Sequence, residues 1–119
     1  PFGEAEPGAT GLELLLSLSL RWAQDSGLPL ATALARITHD PVRVLGDALG
    51  SLASSAGRVV EGGVADLCLF DPAAEWAVAR ERLASQGKHT PFAFASTGMA
   101  LPGRVRATLV AGTVAYEAA

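Results

Sequence analysis

The sequence predicts an α/β chain, helical over residues 1–50 and rich in β-structure over residues 51–119. Three observations carry this. Apolar residues recur at helical spacing as far as Leu45, the run at residues 64–70 is apolar and too short for a typical helix, and the residues after Pro102 alternate polar with apolar. Half of the 119 residues are apolar and 18% are charged, which suits one domain with a modest core. The net charge of -3, without any Lys/Arg run, argues against nucleic acid and against an anionic membrane surface as partners. One cysteine cannot close an internal disulfide, so a reducing, cytoplasmic setting is expected. No apolar run approaches the length of a membrane span, and the first residues show no basic n-region followed by an apolar h-region. Because the sequence starts at Pro1 rather than methionine, it is expected to be part of a longer polypeptide.

Pro1, Gly3, Pro7 and Gly8 predict an irregular first segment. Thr10-Gly11-Leu12-Glu13 then has the T-x-x-E spacing of a capping box, in which the threonine oxygen and the glutamate each satisfy a free N–H at a helix start. Leu12, Leu15, Leu16, Leu20 and Ala23 form the inward stripe of that helix, with Leu14, Leu18 and Trp22 as a second apolar flank and Gly27 as its left-handed cap. Pro29 fits the first position of a second helix that buries Leu30, Ala33, Leu34 and Ile37 and runs to about Thr38. Asp40-Pro41 repeats the device for a short third helix, stopped at Gly46. Residues 51–57 are small and polar and predict a connection.

Arg58-Val59-Val60 predicts a strand before a glycine turn. Val64, Leu67, Cys68, Leu69 and Phe70 lack polar alternation and predict a central strand covered on both faces, which Asp71-Pro72 stops because proline has no N–H for the ladder. Asp66 is the lone charge in that run and is expected to take a structural hydrogen bond. Cys68 is expected to be a buried small hydrophobe. Trp76-Ala77-Val78 predicts another short strand, residues 80–86 a helical turn or loop, and residues 88–103 an irregular stretch. Arg104, Arg106 and Thr108 alternate with Val105, Ala107 and Leu109, giving a strand with one wet face, and Ala111-Gly112 turns it into a last strand over residues 113–117.

These residues alone assemble no active site. His39 and His89 have no His or Cys at metal-ligand spacing, and no nucleophile elbow, Walker-type or dinucleotide glycine motif is present. His39 falls at a helix end, where capping or solvation is the expected role, and His89 falls in a loop. Glu4 and Glu6 could form a carboxylate pair, but beside proline in a loop they are expected to be solvated.

The segment Gly57-Arg58-Val59-Val60-Glu61-Gly62-Gly63-Val64-Ala65-Asp66-Leu67, with Phe70-Asp71-Pro72, resembles the G-x-I-x-x-G-x-x-A-D-L... F-D-P pattern near the end of amidohydrolase-superfamily enzymes. Thr38-His39-Asp40-Pro41-Val42-Arg43-Val44-Leu45-Gly46 is similar to their T-x-N-P-A-x-x-L-G helix signature. Pro1-Phe2, Gly11-Leu12-Glu13, Trp76-x-Val78, Gly87-Lys88-His89-Thr90-Pro91-Phe92, Gly103-Arg104-Val105 and Val114-x-Tyr116-Glu117 resemble, in order, the dihydroorotase run P-F... G-L-E-T... W-x-V... K-N-T-P-F... G-R-V... V-Y-E. Hydantoinases and allantoinases, the other cyclic amidohydrolases, usually carry serine where Thr90 stands.

The resemblance implies the C-terminal region of a dihydroorotase. Residues 1–50 would be the closing helices of a (β/α)8 barrel and residues 51–119 part of a small β-sandwich domain that also uses N-terminal strands. A complete barrel needs about 250 residues. It implies zinc as cofactor, with every ligand before Pro1 and none in this segment, and water activated on the metal to attack the ring amide of dihydroorotate. Pro1, Phe2 and Gly3 would belong to the loop after the last barrel strand, lying against the substrate, with Gly3 the foremost contact. No catalytic residue carries over. The implied partners are the upstream barrel portion of the same polypeptide, a homodimer mate or aspartate transcarbamoylase. Leu14 stands where the family has the threonine of G-L-E-T, Ser17 where proline is common, and His89 where asparagine precedes Thr90. Some family members are dihydroorotase-like chains without catalysis that support aspartate transcarbamoylase, and these departures are compatible with that role.

Overall fold

A computed structural model describes residues 2–4, 8–54, 56–93 and 99–118, with the backbone alone for Phe2, Ser51 and Ser54. A 3-10 turn at Leu12–Leu14 leads into helix α1 (Leu15–Asp25), which is followed by α2 (Leu30–Ile37) and α3 (His39–Leu45). Gly27 at φ 65° ends the first helix in the left-handed region, as its position predicts. Pro29 caps α2 from outside, extended at φ -60° and ψ 144°, one residue earlier than the sequence suggests. Its carbonyl accepts the N–H of Thr32 at 2.9 Å, so the ring still costs no helical hydrogen bond.

Asp40 lies in the first turn of α3 rather than at its cap. The reason is electrostatic: its carboxylate takes the Arg36 guanidinium at 2.6 Å and faces Arg43 at 3.7 Å. Gly46, at φ 47°, stops α3, and a kinked 3-10 stretch (Gly46–Ser54) continues helical structure into residues expected to be irregular.

The buried face of the first helical segment consists of Leu14, Ser17, Leu20 and Ala23, three residues apart and on one side. The expected stripe is therefore turned: Leu12 is 92% exposed and Leu15 is about half exposed, while the serine faces inward. Ser17 is drawn in because its hydroxyl meets the Gly103 carbonyl at 3.4 Å, where a leucine would leave that oxygen without a donor.

Three antiparallel strands form the described sheet in the order β1-β2-β3, with β1 at Leu67–Ala77, β2 at Ala100–Val110 and β3 at Thr113–Glu117. The apolar run expected at the centre of the sheet thus lies on an edge strand, and β2 takes the middle. Leu69 is 63% exposed and Cys68 is also exposed, which corrects both the two-faced cover and the buried thiol. Within the described residues no second layer lies over that part of β1, so the apolar run stays uncovered.

Asp71-Pro72 does not stop the strand. Asp71 pairs with Arg104 and Glu75 with Pro102, so residues 72–74 bulge out of the ladder. The Asp71 carboxylate accepts the N–H groups of Ala73 at 3.0 Å and Ala74 at 3.2 Å, replacing the lost ladder bonds, and proline is tolerated in such a bulge. Trp76 and Ala77 belong to the same strand rather than to a separate one. Arg58, Val59 and Val60 form no strand. β2 begins four residues before Arg104, and beyond that point Arg104 and Arg106 face solvent while Val105 and Ala107 are half-buried. The hairpin to β3 turns at Ala111 (φ 48°) and Gly112 (φ 79°), the two positive φ values that a tight antiparallel turn needs.

Leu14, Val78, Leu83 and Leu101 form the core, with Leu18, Trp76, Phe92 and Ala93 packed against it. Both halves of the chain contribute to it. The radius of gyration is 16.2 Å, against about 13.5 Å for a compact domain of this length. The chain is open because much apolar surface lies outside its core.

Candidate functional site

Gly3 lies within a short 3-10 turn, Phe2–Glu4, and is exposed. Among the described residues other than its chain neighbours, a Cβ built on it would meet no atom within 4 Å, which leaves room on that side of its backbone for a flat group to approach. Pro1 falls outside the described residues, as does the side chain of Phe2. Glu6 is also outside them, so the Glu4 and Glu6 pair is not assembled by the structure.

A saddle formed by two chain segments follows this turn. The Thr10 N–H donates to the His89 carbonyl at 2.6 Å, and the Glu13 carboxylate accepts the N–H groups of Ala84 at 3.1 Å and Ser85 at 3.2 Å. This corrects the capping-box expectation: no side chain caps the Leu12–Leu14 turn, and Glu13 reaches across 71 residues instead of back to Thr10. Close packing explains the change. A Cβ on Gly87 would lie 2.7 Å from Thr10 Oγ1, so only glycine lets the loop settle on Thr10 and bring the two amides to Glu13. The Lys88 ammonium donates to the Leu83 carbonyl within the same loop. Thr90, at 0% exposure, ends it, its hydroxyl accepting the Phe92 N–H at 3.4 Å.

His89 is half-buried in this loop, and His39 is the exposed first residue of α3. Among the described residues no three His, Cys, Asp or Glu side chains are grouped so that they could hold a metal ion. Zinc therefore does not fit the residues described here. Asp66 takes the structural role expected of it, accepting the Ala111 N–H at 2.7 Å. Partial burial pushes the Cys68 thiol above its ordinary pKa, against the smaller opposing pull of its hydrogen bond with Thr108. Among the described residues no cation raises its thiolate fraction.

A shallow open cleft of about 150 Å³ is lined by Leu20, Ala23, Gln24, Leu28, Leu30 and Pro72. It offers one polar side chain and no titratable group. No described helix is long and apolar enough to cross a membrane. The sequence signals missed Glu13 and Ser17 as long-range contacts, because nothing local separates a glutamate that caps its own helix from one that reaches another segment.

No family model matches the chain. It is 44% identical over 117 residues to a dihydroorotase-like protein of Pseudomonas aeruginosa, covering 98% of this chain and 25% of that protein. A dihydroorotase of Geobacter metallireducens is 35% identical over 116 residues, again with 98% of this chain covered. A solved D-hydantoinase superposes on 98% of this chain with a TM-score of 0.75 at 21% identity, a likeness of fold. The chain spans about a quarter of the length of the curated relatives it matches.

Proposed function

Since nearly the whole chain is dihydroorotase-like in sequence and hydantoinase-like in fold, we propose that it is the closing part of a zinc dihydroorotase. Such an enzyme interconverts dihydroorotate and N-carbamoyl-aspartate in cytoplasmic pyrimidine synthesis. The observation that carries this reading is similarity to named dihydroorotases over 98% of the chain. The exposed apolar surface supports it. Val44 and Val59 are 85% and 84% exposed, and Leu12 and Leu69 join them, a surface suited to cover by the rest of the same polypeptide. In this reading the helices lie on a (β/α)8 barrel and the uncovered face of β1 completes a β-sandwich.

Zinc would be held outside these 119 residues, where it would activate water for attack on the ring amide. The contribution of this chain is binding. The open backbone of Gly3, with Pro1 and Phe2, would lie against the ring of dihydroorotate, where a side chain at Gly3 would push the ring away. Purified full-length polypeptide should contain zinc and turn over dihydroorotate. Zinc-loaded protein that leaves dihydroorotate unchanged but opens a hydantoin would shift the assignment to another cyclic amidohydrolase.

A second reading is favoured by one observation: identity is 44% to a protein named dihydroorotase-like and 35% to one named dihydroorotase. Here the full polypeptide would be a non-catalytic support for aspartate transcarbamoylase. Leu14 and Ser17, two of the departures from the dihydroorotase pattern, are buried packing residues, so they weigh on neither side. Absence of zinc and of turnover, together with co-elution with aspartate transcarbamoylase, would select this reading. Zinc-dependent turnover by a free homodimer would remove it.

A further inference from the structure

We propose that residues 84–89 form a latch that opens and closes as one body on residues 10–13, with the Glu13 carboxylate as its clasp. The inference is independent of which reaction the full-length polypeptide carries out. Consecutive amides, Ala84 and Ser85, donate to the two oxygens of that single carboxylate at 3.1 and 3.2 Å. A carboxylate accepts both bonds at once; a glutamine accepts one and turns an NH2 donor toward the other N–H. At the far end of the loop the Thr10 N–H donates to the His89 carbonyl at 2.6 Å, and between these contacts Gly87 seats closely on Thr10. The Lys88 ammonium donates to the Leu83 carbonyl and so closes the neck of the loop on itself. A loop closed in this way moves as a unit rather than residue by residue. None of the side chains from Ala84 to His89 is buried, so closure rests on hydrogen bonds more than on apolar burial. Buried Leu83 and fully buried Thr90 hold the two ends and mark the hinges. Opening swings the stretch between them away and leaves the core of Leu14, Val78, Leu83 and Leu101 in place.

The test compares the wild-type full-length polypeptide with Glu13→Ala and Glu13→Gln by amide hydrogen exchange resolved at Thr10, Val78, Ala84 and Ser85. Thr10 is the deciding amide, because its acceptor is His89 and the substitution leaves that bond itself untouched. Exchange at Ala84, Ser85 and Thr10 should rise together, about tenfold in Glu13→Ala and about threefold in Glu13→Gln. Val78, whose buried N–H donates to the Met99 carbonyl at 3.0 Å, should stay within about twofold of wild type. Brief trypsin treatment gives a second readout: cleavage after Lys88, followed by the mass of the fragments, should be about tenfold faster in Glu13→Ala, since a protease needs the loop open. Should Glu13→Ala not fold, Glu13→Gln carries the same readouts at its smaller amplitude. Unchanged exchange at Thr10 means that the contacts are independent and overturns the proposal. Exchange at Val78 that rises in step with Thr10 also overturns it, as opening would then involve the core, and so do equal rates of cleavage after Lys88.

Discussion

The indole N–H of Trp76 donates to the Ser17 hydroxyl at 3.0 Å, joining helix α1 to the edge strand β1, and the same hydroxyl faces the Gly103 carbonyl at 3.4 Å on β2. One buried serine thus ties a helix to two strands. Ser17→Ala should cost about 1–3 kcal/mol, the penalty of leaving a partly buried donor without a partner. Urea unfolding of the full-length polypeptide checks this. A midpoint equal to that of wild type would mean that water replaces the hydroxyl.

Gly103 sits at φ 89°, and a Cβ there would collide with the Leu20 side chain. Gly103→Ala is therefore strained in backbone and in packing, at a cost of about 2–4 kcal/mol. Gly112, at φ 79° with open space around it, carries the backbone strain alone, so Gly112→Ala should cost only about 1 kcal/mol. The order of the two denaturation midpoints is the observable.

Asp66→Ala removes the acceptor of the Ala111 N–H and should loosen the β2 to β3 hairpin by about 1 kcal/mol. Asp66→Asn keeps a side-chain oxygen and should lose less. Amide exchange at Ala111 and Gly112 reads the difference, with the Gly112 bond to the Ala65 carbonyl as the neighbouring reference.

Cys68 should alkylate with a pH midpoint above that of the same protein unfolded in urea, because partial burial disfavours its thiolate in the folded state. A folded pKa raised above the unfolded one contributes stability that is fully present below the unfolded pKa and is lost as pH rises through the folded pKa. A midpoint at or below that of the unfolded chain would contradict this environment for the sulfur.

Residues 1–119 expressed alone should self-associate, since Leu12, Val44, Val59 and Leu69 are largely exposed. They should also show no zinc-dependent hydrolysis. Sedimentation as a well-behaved monomer, or turnover by this segment, would oppose the view that further protein completes it.

The sequence by itself determined the local elements. The three helices, the left-handed cap at Gly27, the stop at Gly46, the Ala111-Gly112 hairpin turn and the structural bond of Asp66 follow from periodicity, backbone freedom and the cost of a charge in an apolar run. Those signals act within a few residues. The ordered motifs also carried the likeness to dihydroorotases, and pointed to the turn at Gly3 without showing what touches it.

Tertiary structure alone decided which faces are covered. Apolar content predicts that residues 67–70 need cover, but not that their strand lies at an edge of the described sheet with that cover missing. The same limit explains the turned face of α1: only the arrival of Gly103 and Trp76 makes a serine the inward residue. It also explains Glu13, whose partners lie 71 and 72 residues away. A carboxylate bonds whichever donors the fold brings within reach, and contacts over that distance exist only once the core of Leu14, Val78, Leu83 and Leu101 has closed.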